Sequence, residues 1–169
     1  MTPHKELARI LNIYNPEILL VEITQADIEK DNMEKYPDEM VFAFLWAKKK
    51  NIPVYGFDYS MNTLAEGKTE KDNQAVIKEQ KKIFMGYSWK DANRQEIEEI
   101  LDTATAKALI NSKKVAQRDK EMMKNIKKII KKNKKTVIVT GVGHLKFFEK
   151  HIVEARFPLR EEKKKTKKI

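Results

Sequence analysis

The stretch Thr136-Val137-Ile138-Val139-Thr140-Gly141-Val142-Gly143-His144 decides the fold that we predict for this chain. β-Favouring residues run into two glycines and a histidine, and an amphipathic run begins at Leu145. β-Branched residues on both faces indicate a strand buried from both sides, as in a parallel α/β sheet. The glycines at 141 and 143 let the chain turn sharply while the backbone stays close to a ligand. His144 is therefore predicted at the carboxyl end of a buried strand, where open α/β sheets bind ligands.

Two earlier segments repeat the pattern of an apolar strand that ends in a carboxylate. Glu17–Ile23 contains four consecutive aliphatic residues and carries Glu22 near its end, and Val54–Asp58 ends in Asp58. A carboxylate at the end of a buried strand is costly unless it has a partner. Both strands are therefore predicted to deliver an acidic side chain to the same edge of the sheet as His144.

Helical periodicity separates these strands. The pattern predicts an α/β fold: a mainly parallel sheet of few strands, flanked by helices and carrying a helical insertion. The helices are predicted over residues 4–14, Met40–Lys50 and Asp119–Asn133, with two more in the insertion, over Thr69–Met85 and Asn93–Asn111.

The length of 169 residues fits one domain with a real core. We predict a single α/β domain over residues 1–159, with a helical cap at about 60–112, and a basic, disordered tail over 160–169. With no cysteine the chain has no disulfide, thiol nucleophile or thiolate metal site. The absence of a transmembrane-length apolar run and of a secretory signal predicts a cytoplasmic protein.

The net charge of +10 raises the question of a nucleic-acid partner. The excess lies in Lys113–Lys135 and in the tail Arg160–Lys168, and almost all of it is lysine. Base readout and stacking use arginines and interleaved aromatic residues, whereas each of these segments has a single arginine and no aromatic residue. We therefore favour solvated helix faces, and keep a nucleic-acid-associated protein as an alternative.

An arginine is also predicted to lie at the carboxyl edge of the sheet. Arg118 lies four residues before Met122 and so extends the apolar face of the helix that precedes the last strand. If the strands are parallel, Glu22, Asp58, His144 and Arg118 converge. Each also has a purely structural interpretation: Glu22 with Arg118 as a buried ion pair, Asp58 as a cap, and His144 as a hydrogen-bonded histidine.

These residues carry a resemblance to a known family. Arg118-Asp-Lys-Glu-Met-Met, followed by a helix, an apolar strand and Gly141-Val-Gly-His144-Leu145, resembles the C-terminal signature of the TraB/Tiki superfamily, which includes erythromycin-esterase-like and ChaN-like proteins. Pro16-Glu-Ile-Leu-Leu-Val-Glu22 and Ile52-Pro-Val-Tyr-Gly-Phe-Asp58 are similar to its other strands, so the resemblance spans about residues 5–155. It implies an α/β fold with a helical insertion.

The resemblance also implies chemistry, because some members are metal-dependent proteases or hydrolases. Glu22 and His144 would then bind a divalent metal (Mn, Zn, Co or Fe) or act as general base and orienter. Arg118 would hold Glu22 ionised or bind an anionic substrate group. Asp58 would contact these site residues rather than the substrate. The substrate would be a peptide or an ester.

The chain departs from the family at its beginning. Family members carry a first Gly-x-x-His motif before the helix that corresponds to residues 4–14, whereas here Met1-Thr-Pro-His4 stands in its place. Either the sequence starts at an internal methionine or the protein has half a site. A non-catalytic ligand- or peptide-binding protein of the same fold is therefore the main alternative. A missing strand would leave a sheet edge that a homodimer could cover.

Overall fold

Helices and strands alternate along the part of the chain that the structure describes. The structure is a computed structural model, and it describes residues 3–59, 78, 99–100, 112–130, 134–152 and 154–156. The elements are α1 Pro3–Tyr14, β1 Ile18–Thr24, α2 Gln25–Glu29, α3 Asp38–Lys49, β2 Val54–Asp58, α4 Ser112–Ile129, β3 Thr136–Val139, a 3-10 turn Val142–His144, and α5 Leu145–His151.

The three strands form one parallel sheet in the order β2-β1-β3. Leu19 of β1 pairs with Val54 of β2 on one side and with Val137 of β3 on the other. Both connections between parallel strands cross over with a helix, α3 after β1 and α4 after β2. The α/β class and the parallel sheet predicted from the sequence are confirmed.

β1 is the centre of the sheet and is buried on both faces, as its run of aliphatic residues predicts. One face packs against α1 and α3. Leu20 and Glu22 point to the opposite face, because side chains alternate along a strand. Helix α4 contacts the sheet through Asn125, whose side-chain amide donates to the carbonyl oxygen of Phe57 in β2 at 3.2 Å. The core on the first face consists of Leu11, Leu19, Val21, Ile23, Met40, Ala43, Phe44 and Ala47.

Helix ends follow local chemistry. Asn15 and Asn51 adopt positive φ values of 40° and 55° directly after α1 and near the end of α3, a conformation that asparagine tolerates at helix ends.

The start predicted for the last long helix, Asp119, is wrong, because α4 already begins at Ser112. The intervening residues contain no glycine or proline and include good helix formers, whereas the prediction followed only the dense apolar stripe.

Gly56 allows β2 to approach β1 where their pairing shifts register, between Val21 and Thr24. A Cβ atom at Gly56 would lie 2.4 Å from the carbonyl oxygen of Ile23 and 2.8 Å from the backbone nitrogen of Gln25. Its own N–H is accepted by the side-chain oxygen of Gln25 at 2.9 Å. A side chain at this position would therefore force the strands apart just before their carboxyl ends.

The chain divides into two compact units, residues 1–60 with 117–141, and residues 61–116 with 142–169. The sheet belongs to the first unit, whereas the 3-10 turn and α5 belong to the second. The helical cap predicted at about 60–112 and the tail predicted over 160–169 lie outside the described residues, apart from a few isolated positions. Among the described helices, none combines the length and the apolarity needed to cross a bilayer.

Candidate functional site

The carboxyl ends of β1 and β2 place two carboxylates beside one guanidinium group. Nε of Arg118 donates to Oδ1 of Asp58 at 2.9 Å, and Nη2 donates to Oδ2 of the same carboxylate at 2.9 Å. Nη2 also donates to Oε1 of Glu22 at 3.1 Å. A fork-shaped contact of this kind fixes both the position and the orientation of the carboxylate. We call Glu22, Asp58 and Arg118 the Arg118 cluster.

The Arg118 cluster is largely withdrawn from water. The side chains of Glu22 and Asp58 are each 11% exposed, and that of Arg118 is 19% exposed. Burial alone would lower the pKa of Arg118, but its hydrogen bonds to Asp58 and the negative charges of Asp58 and Glu22 raise it above its ordinary value. The guanidinium therefore stays charged.

The second oxygen of Glu22 holds the end of β3. Oε2 accepts a hydrogen bond from the Thr140 hydroxyl at 2.7 Å and another from the backbone N–H of Gly141 at 2.6 Å. A Cβ atom at position 141 would lie 3.4 Å from the same oxygen, at ordinary van der Waals distance. Glu22 thus binds Arg118 with one oxygen, and Thr140 and Gly141 with the other.

A second polar network begins at Thr24, two residues beyond Glu22, and centres on Asp27. Thr24 caps α2, since its Oγ1 accepts from the backbone N–H of Asp27 at 3.2 Å. The Thr24 hydroxyl donates to Oδ2 of Asp27 at 2.5 Å, and the Tyr36 hydroxyl donates to the same oxygen at 2.6 Å. Nζ of Lys35 lies 2.9 Å from that oxygen, and the amide of Asn32 reaches Oδ1 at 3.0 Å.

These donors fix the protonation state of Asp27. Hydrogen bonds from Thr24, Tyr36 and Lys35 favour the ionised carboxylate and hold the pKa of Asp27 far below its usual value, although burial opposes them. The contact with Asp27 also raises the pKa of Lys35. The Tyr36 hydroxyl accepts the backbone N–H of Thr24 at 3.1 Å, at the point where β1 leaves its regular pairing. The network therefore fixes the end of β1.

In the second unit, His144 ends the 3-10 turn and immediately precedes α5. Its ring centroid lies 6.2 Å from that of Phe148, which is buried. The exposed His151 stacks on Phe147 with centroids 4.1 Å apart, and its Nδ1 lies 2.7 Å from the Phe147 carbonyl oxygen. Gly143 has nothing within 4 Å of the position that a Cβ atom would take.

The described residues do not form a ready metal site. Among them, no group of three or more His, Cys, Asp or Glu side chains is placed to hold a metal ion. The Glu22 oxygens already accept from Arg118, Thr140 and Gly141, and both oxygens of Asp58 accept from Arg118. A guanidinium therefore occupies the position between the carboxylates that a bound cation would need.

Of the residues predicted for the site, the structure brings together Glu22, Asp58, Arg118 and Gly141. Asp58, predicted to stand behind the others, shares the guanidinium directly, and its Oδ1 also accepts the N–H of Tyr59 at 2.7 Å, the capping contact that the sequence left open. Sequence reasoning missed the Thr140 hydroxyl and the Asp27 network. The Thr24-x-x-Asp27 spacing is a recognisable helix-start signal that could have indicated the network.

Comparison with known proteins gives one result. The model of the TraB/PrgY/gumN family matches residues 46–153, more than half of the chain. The match includes β2, Arg118 and the Gly-Val-Gly-His144 segment, and begins after β1 with its Glu22. No curated protein and no solved structure matches the chain.

Proposed function

This chain belongs to the TraB/PrgY/gumN family, and from that premise we propose that it is a hydrolase acting on peptide or ester bonds. The observation that carries the proposal is the double engagement of Glu22, which binds Arg118 with one oxygen and the backbone of Gly141 with the other. In sequence, His144 follows Gly141 by three residues. The carboxylate thus fixes the backbone of Gly141, three residues before the histidine in the sequence.

The proposed roles follow from these contacts. His144 is the general base: its imidazole takes a proton from water as the water oxygen bonds to the substrate carbonyl carbon, and returns it to the leaving amine or alcohol. Glu22 fixes the backbone of Gly141, three residues before His144 in the sequence. Arg118 keeps Glu22 ionised and oriented, which its contacts with both carboxylates support over direct binding of an anionic substrate group.

Dependence on a divalent metal is a separate part of the proposal. Mn, Zn, Co and Fe are compatible with oxygen and nitrogen ligands in a chain without cysteine. Because the described residues offer no set of three ligands, we assign no step to a metal. Activity measured with each added metal and with a chelator tests this part independently of the histidine.

Hydrolysis of generic esters and peptides tests the proposal. His144→Ala should lower kcat/KM by about a hundredfold or more, the usual contribution of a general base. His151→Ala is the matched control, because His151 is exposed on the next helix, and it should retain activity. Glu22→Gln should reduce kcat by a smaller factor, since the amide keeps an oxygen for Gly141 but loses the charge. Equal activity of the wild type and His144→Ala would refute the assignment.

A non-catalytic binding protein is the second candidate. The observation that favours it is that both carboxylates of the Arg118 cluster are already satisfied by protein donors, as expected of a structural ion pair. This candidate predicts no turnover by the wild type under any metal condition, together with a rise in Tm on addition of a peptide from a mixed library. Turnover that depends on His144 would exclude it.

A further inference from the structure

The outward face of α4 carries a row of lysines that the site does not use. Lys120, Lys124, Lys127 and Lys128 are all exposed, and we call them the lysine face. Their spacing of four, seven and eight residues from the first places them on one side of the helix, within about 12 Å along its axis. The opposite side buries Met122 and directs Arg118 to the carboxylates.

Most of the lysine face has no ion-pair partner among the residues that the structure describes. Lys124 contacts Glu121 at 3.3 Å, whereas the other three form no ion pair with any residue in the part of the chain that the structure describes. Between Gln117 and Ile130 the acidic residues are Asp119, which is buried, and Glu121, whose side chain is one-third exposed. This side of the helix therefore presents a predominantly positive surface.

We propose that the lysine face binds an anionic lipid surface. Groups of four or more lysines on one helix face are attracted to acidic headgroups at a bilayer. Ile130, 38% exposed just beyond the end of α4, adds an apolar side chain beside them. Nucleic acid is the less suitable partner, because the exposed positions of α4 from 117 onward include neither an arginine for base edges nor an aromatic ring for stacking.

Sedimentation with lipid vesicles tests this proposal without reference to any enzymatic activity. The wild type should bind phosphatidylcholine vesicles that contain phosphatidylserine, and not pure phosphatidylcholine vesicles. Each lysine near an anionic surface contributes about fivefold to partitioning. Replacing all four with glutamine, a good helix former, should therefore reduce binding by about 600-fold and leave the circular dichroism spectrum unchanged.

A matched variant separates the lysine face from net charge. Lys5, Lys30, Lys49 and Lys50 are exposed on other elements, and their replacement by glutamine removes the same charge. That variant should keep most of the binding. Equal losses in the two variants would overturn the proposal, as would failure of the wild type to bind phosphatidylserine vesicles at low salt. The proposal would also be overturned if the wild type bound duplex DNA more tightly than phosphatidylserine vesicles and lost that binding when the lysine face was substituted. The partner would then be nucleic acid.

Discussion

Replacing Arg118 with methionine should destabilise the fold far more than removing a surface cation does. The change leaves Glu22 and Asp58, each 11% exposed, without the cation that they share. A surface ion pair contributes about 0–1 kcal/mol, whereas removing one partner of a buried pair costs about 3–5 kcal/mol. The low exposure and the three contacts at 2.9–3.1 Å place the Arg118 cluster in the second class. We therefore expect the free energy of unfolding to fall by about 3–5 kcal/mol.

Urea denaturation followed by circular dichroism measures this loss at neutral pH. Lys124→Met is the control on the same helix, because Lys124 is 61% exposed, and it should change stability by less than about 0.5 kcal/mol. The triple variant Arg118→Met with Glu22→Gln and Asp58→Asn should recover much of the loss, since no buried charge is left unpaired. A loss below about 1 kcal/mol for Arg118→Met would refute the reasoning, because it would mean that water solvates the cluster well.

Three further predictions concern the ends of the strands. Gly56→Ala should lower the free energy of unfolding by about 2 kcal/mol, through the clash with backbone atoms, whereas Gly143→Ala should be nearly neutral. In a pH titration of stability, Asp27→Asn should be less stable than the wild type above about pH 4. The difference should shrink as the pH falls towards the depressed pKa of Asp27, because the ionised carboxylate contributes only where the unfolded chain would also have lost its proton. A constant difference down to the acid limit would contradict this. Thr140→Val should cost about 1.5–3 kcal/mol in urea denaturation, since it removes a donor from the charged Glu22; no loss would show that water replaces the hydroxyl.

The sheet was predictable because the composition of its strands indicates how deeply they are buried. The aliphatic run from Ile18 to Val21 indicates burial on both faces, and a strand of that kind requires helices on both sides. Parallel order then brings the ends of β1 and β2 to one edge, which is why Glu22 and Asp58 could be expected to meet. Helical periodicity pointed Arg118 towards them. These inferences depend on periods of two and 3.6 residues, which a single sequence displays directly.

The atomic partners were less predictable, because they depend on register and on small polar side chains. Thr140 was interpreted as a strand residue, and nothing in its neighbours indicates that its hydroxyl bonds a carboxylate 118 positions earlier. Asp58 had several local roles open to it, and only the three-dimensional path of α4 gives it a fork-shaped contact with Arg118. The roles of these residues in catalysis stay predictions.

The hydrogen bonds of Glu22 also have a consequence for folding kinetics. They join residues 96 and 119 positions apart in the chain, and Arg118 reaches Asp58 across 60. Contacts across such separations require the closure of long loops, so they are expected to form after the main folding barrier rather than before it. Interactions absent from the transition state leave the folding rate unchanged and slow unfolding instead. The contacts at the carboxyl edge of the sheet would then form late in folding and lengthen the lifetime of the native protein by slowing its unfolding.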